Sequence, residues 1–357
     1  MFIDIYLYMN VKESILQVHL LCLASVQRSL LMHNLLDPAI LFFIFGVLAG
    51  ALKSNLEIPQ SISRFLSLYL LMALGLKGGF ALSHSGITSQ VATSLGCAVL
   101  LAVGVPLLGY ALLRRFISGF DAAAVAATYG SVSAVTFVTA VQTLENQHVV
   151  FGGYMSAAMA TMESPSIILA VLFANSLRQN PSASAAGLQE KGEGMPLGKI
   201  LHESLTDGAQ LLLLGAMVIG ILSGDAGKAA MQPFSGDLFK GMLAFFLLDM
   251  GLLTARSLPQ VRDKSPWLIA YAVAGPLAHA SLALGLAWLL EVPVGDATLL
   301  MVLAASASYI AVPAVLRYAI PEANPSLYFG LSLGITFPLN IIFGIPLYAS
   351  VAQAALG

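Results

Sequence analysis

Phe45-Gly46-Val47-Leu48-Ala49-Gly50 returns later in the chain as Ile219-Gly220-Ile221-Leu222-Ser223-Gly224, an offset of 174 positions. Ala73-Leu74-Gly75-Leu76 returns as Asp249-Met250-Gly251-Leu252 at 176, and Gly130-Ser131-Val132-Ser133 as Ala305-Ser306-Ala307-Ser308 at 175. A fourth pair, Pro165-Ser166-Ile167-Ile168 and Pro338-Leu339-Asn340-Ile341, lies 173 apart. Each match is weak alone. In one order and at one spacing they describe a chain built from two copies of one apolar half, a pattern of many secondary transporters.

The composition says what surrounds those halves. Of 357 residues, 58% are hydrophobic and 10% charged, against about a quarter charged in a soluble domain. Apolar stretches at 37–53, 62–83, 89–113, 121–143, 150–175, 207–224, 238–255, 266–290, 297–317 and 326–354 are each long enough, at about 1.5 Å per residue, to cross a hydrocarbon core of about 30 Å. The expected fold is an all-α integral membrane protein of ten transmembrane helices, five per copy. The first copy spans 37–176 and the second 207–357, joined by a linker at 177–206. Pro181-Ser182-Ala183-Ser184-Ala185-Ala186-Gly187 gives that linker a flexible composition. Residues 1–36 stand apart. Asp4, Lys12, Glu13 and Arg28 interrupt their apolar residues and no signal-peptide pattern emerges, so an over-extended start, an amphipathic surface segment and an extra span all stay open.

Basic residues set the expected orientation. With ten spans, one side collects Lys53, Arg64, Arg114, Arg115, Arg178, Lys191, Lys199, Arg256, Arg262, Lys264 and Arg317, and the other only Lys228 and Lys240, plus Lys12 and Arg28 if the N-terminal segment counts. The positive-inside rule then puts the linker in the cytoplasm and both termini outside. Five spans per copy invert one copy relative to the other.

An inverted-repeat carrier binds its cargo near the midplane, where interrupted helices offer amides to an anion and carbonyls to a cation. The fourth and ninth spans are expected to break at Ser131-Val132-Ser133-Ala134-Val135-Thr136 and Ser306-Ala307-Ser308-Tyr309-Ile310-Ala311-Val312-Pro313. Ser131, Ser133, Ser306, Ser308 and Tyr309 are the expected anion-binding residues; Thr136, Glu163, Thr336 and Asn340 the expected cation-binding ones. Small residues in membrane helices also mark close packing, and that reading stays beside the first. Lys77, Glu163 and Asp249 are the ionisable residues deep in the spans. Such groups need a partner or a wet cavity, so Lys77 is expected to pair with Asp249 or Glu163, or to reach an interface. His279 reads as a packing residue ahead of a proton relay. Cys22 and Cys97 carry no pattern, no residue cluster has metal-ligand spacing, and no catalytic set or nucleic-acid partner is expected.

Six segments together carry a resemblance: Gly75-Leu76-Lys77-Gly78-Gly79, Gly130-Ser131-Val132-Ser133, Thr143-Leu144-Glu145, Met162-Glu163-Ser164-Pro165, Pro313-Ala314-Val315-Leu316-Arg317 and Ile320-Pro321-Glu322-Ala323-Asn324-Pro325-Ser326. From residue 37 to the C-terminus the chain resembles the SbtA-type sodium-dependent bicarbonate transporters. The resemblance implies uptake of bicarbonate with Na⁺ across a bacterial inner membrane by a homotrimer, with a PII-like regulator possible on the cytoplasmic face. It also implies a site between the fourth and ninth spans, at Ser133, Thr136, Ser306 and Ser308. The chain departs from cyanobacterial members, which carry Ser at Val135 and Ala311, and Asp at Tyr309 and Glu163. Their seventh-span Glu falls near Leu253, whereas this chain has Asp249 a turn earlier. A same-fold carrier of another small anion or monocarboxylate, coupled to protons or sodium, is the alternative.

Overall fold

The computed structural model describes residues 36–86, 88–179, 208–261 and 264–357. The expected N-terminal segment and nearly all of the expected linker lie outside those residues. The described residues form helices and no strand: α1 (Pro38–Ala51), α2 (Gln60–Ser85), α3 (Ser89–Leu113), α4 (Gly119–Gly130), α5 (Ala134–Asn146), α6 (Met155–Gln179), α7 (Gly208–Met231), α8 (Phe239–Ser257), α9 (Pro266–Leu289), α10 (Val294–Ala305), α11 (Ala311–Ala319) and α12 (Pro325–Leu356).

Several starts follow from capping. The Asp37 carboxylate accepts the Ala39 amide at 2.8 Å, with Pro38 as the first helical residue, and Asn324 accepts the Ser326 amide at 3.0 Å ahead of Pro325. Both side chains satisfy an amide the helix itself leaves orphaned.

Seven helical runs among the described residues are long and apolar enough to cross a membrane, while α1 and α10 are shorter apolar helices. One of the seven, Gly208–Ser257, is 50 residues long and contains both α7 and α8 around a π-helical turn at Gln232–Asp237. Trp267 and Trp288, at the two ends of α9, are 66% and 67% exposed. At about 1.5 Å per residue they lie about 32 Å apart, the spacing of two interfacial aromatic belts across a hydrocarbon core. The chain is a multi-pass membrane protein.

The sequence places the end of the sixth stretch at 224, but α7 runs on to Met231. Gly224 adopts φ 53°, ψ −141°, a conformation that glycine enters without a Cβ penalty. The helix therefore kinks and resumes where apolar pattern alone says stop.

The repeated glycines meet each other. A Cβ on Gly46 would strike the Leu248 carbonyl and stand 3.1 Å from the Gly251 Cα, joining α1 to α8. A Cβ on Gly220 would stand 2.7 Å from the Leu76 carbonyl and 3.0 Å from the Gly79 Cα, joining α7 to α2. Such close backbone approach is what small residues provide between membrane helices. The two junctions are reciprocal but one helical turn out of register, because the repeat mate of Gly251 is Gly75 while Gly220 meets Gly79.

Two acidic residues 175 positions apart behave alike. Asp121, in the first turn of α4, accepts the Asn324 amide at 2.8 Å beyond α11. Asp296, in the first turn of α10, accepts the Gly152 amide at 2.6 Å beyond α5, and also the Tyr154 hydroxyl. Each interrupted helix thus clasps the loop that follows the other.

Candidate functional site

The helical ladder stops at 131–133, between α4 and α5, and at 306–310, between α10 and α11. The two breaks touch. The Ser133 amide donates to Ser306 Oγ at 3.0 Å, and the Ser308 amide donates to the Thr128 carbonyl at 2.8 Å. All of Ser131, Ser133, Ser306 and Ser308 are buried.

Their hydroxyls have different duties. Ser133 caps α5: its Oγ accepts the Thr136 amide at 3.2 Å and the Thr136 hydroxyl at 2.9 Å, which leaves its own proton for an acceptor. Ser306 Oγ donates to the Leu303 carbonyl at 2.8 Å while accepting Ser133, so it ties the breaks together. Ser308 Oγ accepts the Val312 amide at 3.3 Å near the start of α11. Ser131 Oγ is buried without a hydrogen-bond partner among the described residues.

A cleft of about 60 Å³ opens beside the breaks, lined among others by Ser133, Ala134, Val135, Glu163, Ser308 and Tyr309. It takes in the first residues of α5 and α11. The opening amides of a helix have no intrahelical partner and carry its positive dipole end, so two helix starts present positive potential to one small space. That arrangement suits an anion. The Tyr309 hydroxyl donates to Met250 Sδ at 3.6 Å, its ring meets Phe337 edge-on at 5.1 Å, and it interacts with the Ser133 side chain and the Asp249 carboxyl.

The expected cation ligands separate. Glu163 lines the cleft, and Thr136 adjoins it through Ser133. Thr336 and Asn340 are committed elsewhere. Thr336 Oγ1 donates to the Ala272 carbonyl at 2.8 Å and lies 2.7 Å from the Tyr129 hydroxyl. The Asn340 amide donates to the Ala305 carbonyl at 2.8 Å, and its Oδ1 accepts the Tyr348 hydroxyl at 2.9 Å. Asn340 thereby satisfies the last carbonyl of α10, and Ser308 that of Thr128. Two break carbonyls that the sequence reading offers to a cation already hold protein donors.

The expected Lys77 pairing is corrected. Lys77 Nζ reaches Glu145 at 3.0 and 3.3 Å and lies 4.3 Å from the centre of the Phe239 ring. The reason is positional: the repeat mate of Asp249 is Ala73, and Lys77 sits one helical turn beyond it, where α5 ends. Asp249 is 5% exposed in α8; Ser63 hydrogen-bonds its carboxyl, and Oδ2 has no partner among the described residues. His279 is buried beside Tyr271, at 6.2 Å between ring centres, and bonds the Ala304 backbone.

Sequence reasoning misses Ser67 and Gln210, which line the cleft from α2 and α7. The only available signal is a single polar residue on an otherwise apolar face. Comparison with curated proteins gives no match. The family model of the Na⁺-dependent bicarbonate transporter superfamily matches residues 38–353, a stretch that takes in both helix breaks, so the chain belongs to that superfamily of transporters and is not an enzyme.

Proposed function

We propose that this protein imports bicarbonate together with Na⁺ across a bacterial inner membrane, as two inverted five-span repeats with both termini outside. The observation that carries the reading is the meeting of the two helix breaks at Ser133 and Ser306, beside a cleft bounded by two helix starts. Bicarbonate is small, planar and singly charged. The amides of Ala134 and Val135 and the hydroxyls of Ser133 and Tyr309 hold it, Ser308 lines the same cleft chiefly as the cap of α11, Ser131 stands in reserve, and Ser306 fixes the spacing. Glu163 and Thr136 take Na⁺, with Thr336 and Asn340 supporting the scaffold. The reciprocal glycine junctions and the paired clasps of Asp121 and Asp296 support the inverted repeat.

One Na⁺ with one bicarbonate moves no net charge, so the membrane potential, about 2.3 kcal/mol per charge per 100 mV, adds nothing. Accumulation then rests on the Na⁺ gradient. A homotrimer in lipid, with a PII-like protein on the cytoplasmic face, completes the proposal.

A proton-coupled carrier of another small monocarboxylate is the second reading, favoured by the buried Asp249 carboxyl beside Tyr309. Labelled bicarbonate uptake into proteoliposomes, with an inward Na⁺ or an inward H⁺ gradient, separates the two. Uptake that follows Na⁺ supports the first; uptake that ignores Na⁺ and follows H⁺ supports the second.

A further inference from the structure

A second, larger cavity of about 780 Å³ lies farther along α2 and α5, and its charged lining is Lys77, His84, Glu145, Lys228, Asp237 and Lys240. It shares two walls with the cleft. On α2, Ser67 and Leu71 line the cleft, while Leu74 and Lys77 line the large cavity. On α5, Ser133 and Val135 line the cleft, while Phe137, Val141 and Glu145 line the cavity. Buried Leu71, Leu74 and Phe137 therefore stand between the two spaces, with Lys77 one turn beyond Leu74.

The lysines differ in what holds them. Lys240 donates to Asn146 Oδ1 at 2.8 Å, and Lys228 is exposed at the rim. Lys77 is the innermost, 27% exposed and paired with a Glu145 that is 33% exposed. A pair this open to the chamber's water is weakly held, so an arriving anion can displace Glu145 from Lys77. Three lysines against two carboxylates also give the cavity a positive balance, which concentrates anions.

We infer that this cavity is an outer anion-binding chamber, in which Lys77 captures bicarbonate and Glu145 is its built-in competitor. The inference rests on the transport reading for its cargo, not for its geometry. On arrival the anion takes the Lys77 ammonium, Glu145 turns to the water of the chamber, and no covalent bond changes. Release of Glu145 then frees the end of α5, whose other end caps on Ser133.

The two partners must act with opposite signs. Glu145→Gln is expected to lower the bicarbonate concentration for half-maximal uptake by about threefold, and Lys77→Met to raise it by about three- to tenfold. Maximal rates should change less than these values, and Lys77→Arg should recover most of the loss. Equal-direction shifts in the two variants, or no shift in either, would overturn the inference. Binding keeps the test independent of transport. In nanodiscs, calorimetric titration of bicarbonate into the Ser133→Ala protein should show residual binding that Lys77→Met abolishes. Residual binding that survives Lys77→Met, or none at all before it, also overturns the chamber. Failure of Na⁺-driven uptake in the wild type contradicts the transport reading alone.

Discussion

The two helix breaks share a sequence pattern and differ in how they are closed. The first is three residues long, 131–133, and Ser133 caps the following helix with its own side chain. The second is five residues long, 306–310, and Ile310 at the start of α11 offers no side-chain cap. Ser308 does part of that work from two residues back, and Tyr309 fills the adjoining space against Phe337 and Met250. Matching sequence patterns therefore yield unequal chemistry: a serine with a proton to give on one side, an aromatic wall with a hydroxyl on the other.

The sharpest way to break this comparison is to remove the two serine hydroxyls separately. Ser133→Ala loses both a helix cap and a hydrogen bond to the anion, worth about 1.5–3 kcal/mol, so uptake at low bicarbonate should fall about 10- to 100-fold. Ser308→Ala loses chiefly the weaker cap and should fall only a few-fold, about 1 kcal/mol.

The glycine junctions come next. Gly46→Ala puts a methyl group against the Leu248 carbonyl and near the Gly251 Cα, where backbone cannot step aside. A loss of about 1–3 kcal/mol should appear as a lowered melting temperature in detergent. Gly96→Ala, with open space around its Cβ, should leave melting unchanged or raise it slightly.

Asp249→Asn sharpens the coupling question. The variant keeps the shape of a buried side chain and removes its charge, so Na⁺-driven uptake should persist within a few-fold. Loss of all ion dependence would move the coupling group from Glu163 to Asp249.

The smallest effect concerns the clasp of Arg178 on Glu322, with bonds of 2.8 Å to each carboxylate oxygen. Burial alone would raise the Glu322 carboxyl, but the hydrogen bonds from the Arg178 guanidinium, a backbone hydrogen bond and the guanidinium charge together outweigh it and hold the group below the usual carboxylate range. Because the folded value is depressed, the clasp stabilises above the ordinary glutamate range and is lost as pH falls through the folded value. The melting temperature of Glu322→Gln should lie slightly below wild type at neutral pH and converge with it in acid.

Much of this was legible in the sequence because it depends on period and composition. The repeat offset located both breaks, and the serines at 131, 133, 306 and 308 all fall in them. Partner choice was less legible. Lys77 meets Glu145 because it sits one helical turn beyond the repeat mate of Asp249, beside the end of α5, and no offset reveals where that neighbouring helix ends. Thr336 and Asn340 carry suitable oxygens, yet they sit on the π-helical turns Ser332–Thr336 and Asn340–Gly344. Those turns aim them at backbone carbonyls. Asp296 was invisible as a clasp, since its partners Gly152 and Tyr154 lie in a loop without a motif.

The central claim is that the anion sits at the start of α5, held by Ser133. Its most direct test is Na⁺-driven uptake of labelled bicarbonate by Ser133→Ala and Ser308→Ala proteins, side by side in proteoliposomes at matched incorporation. The account predicts a loss at Ser133 at least several-fold deeper than at Ser308. Equal losses, or the deeper loss at Ser308, would contradict it.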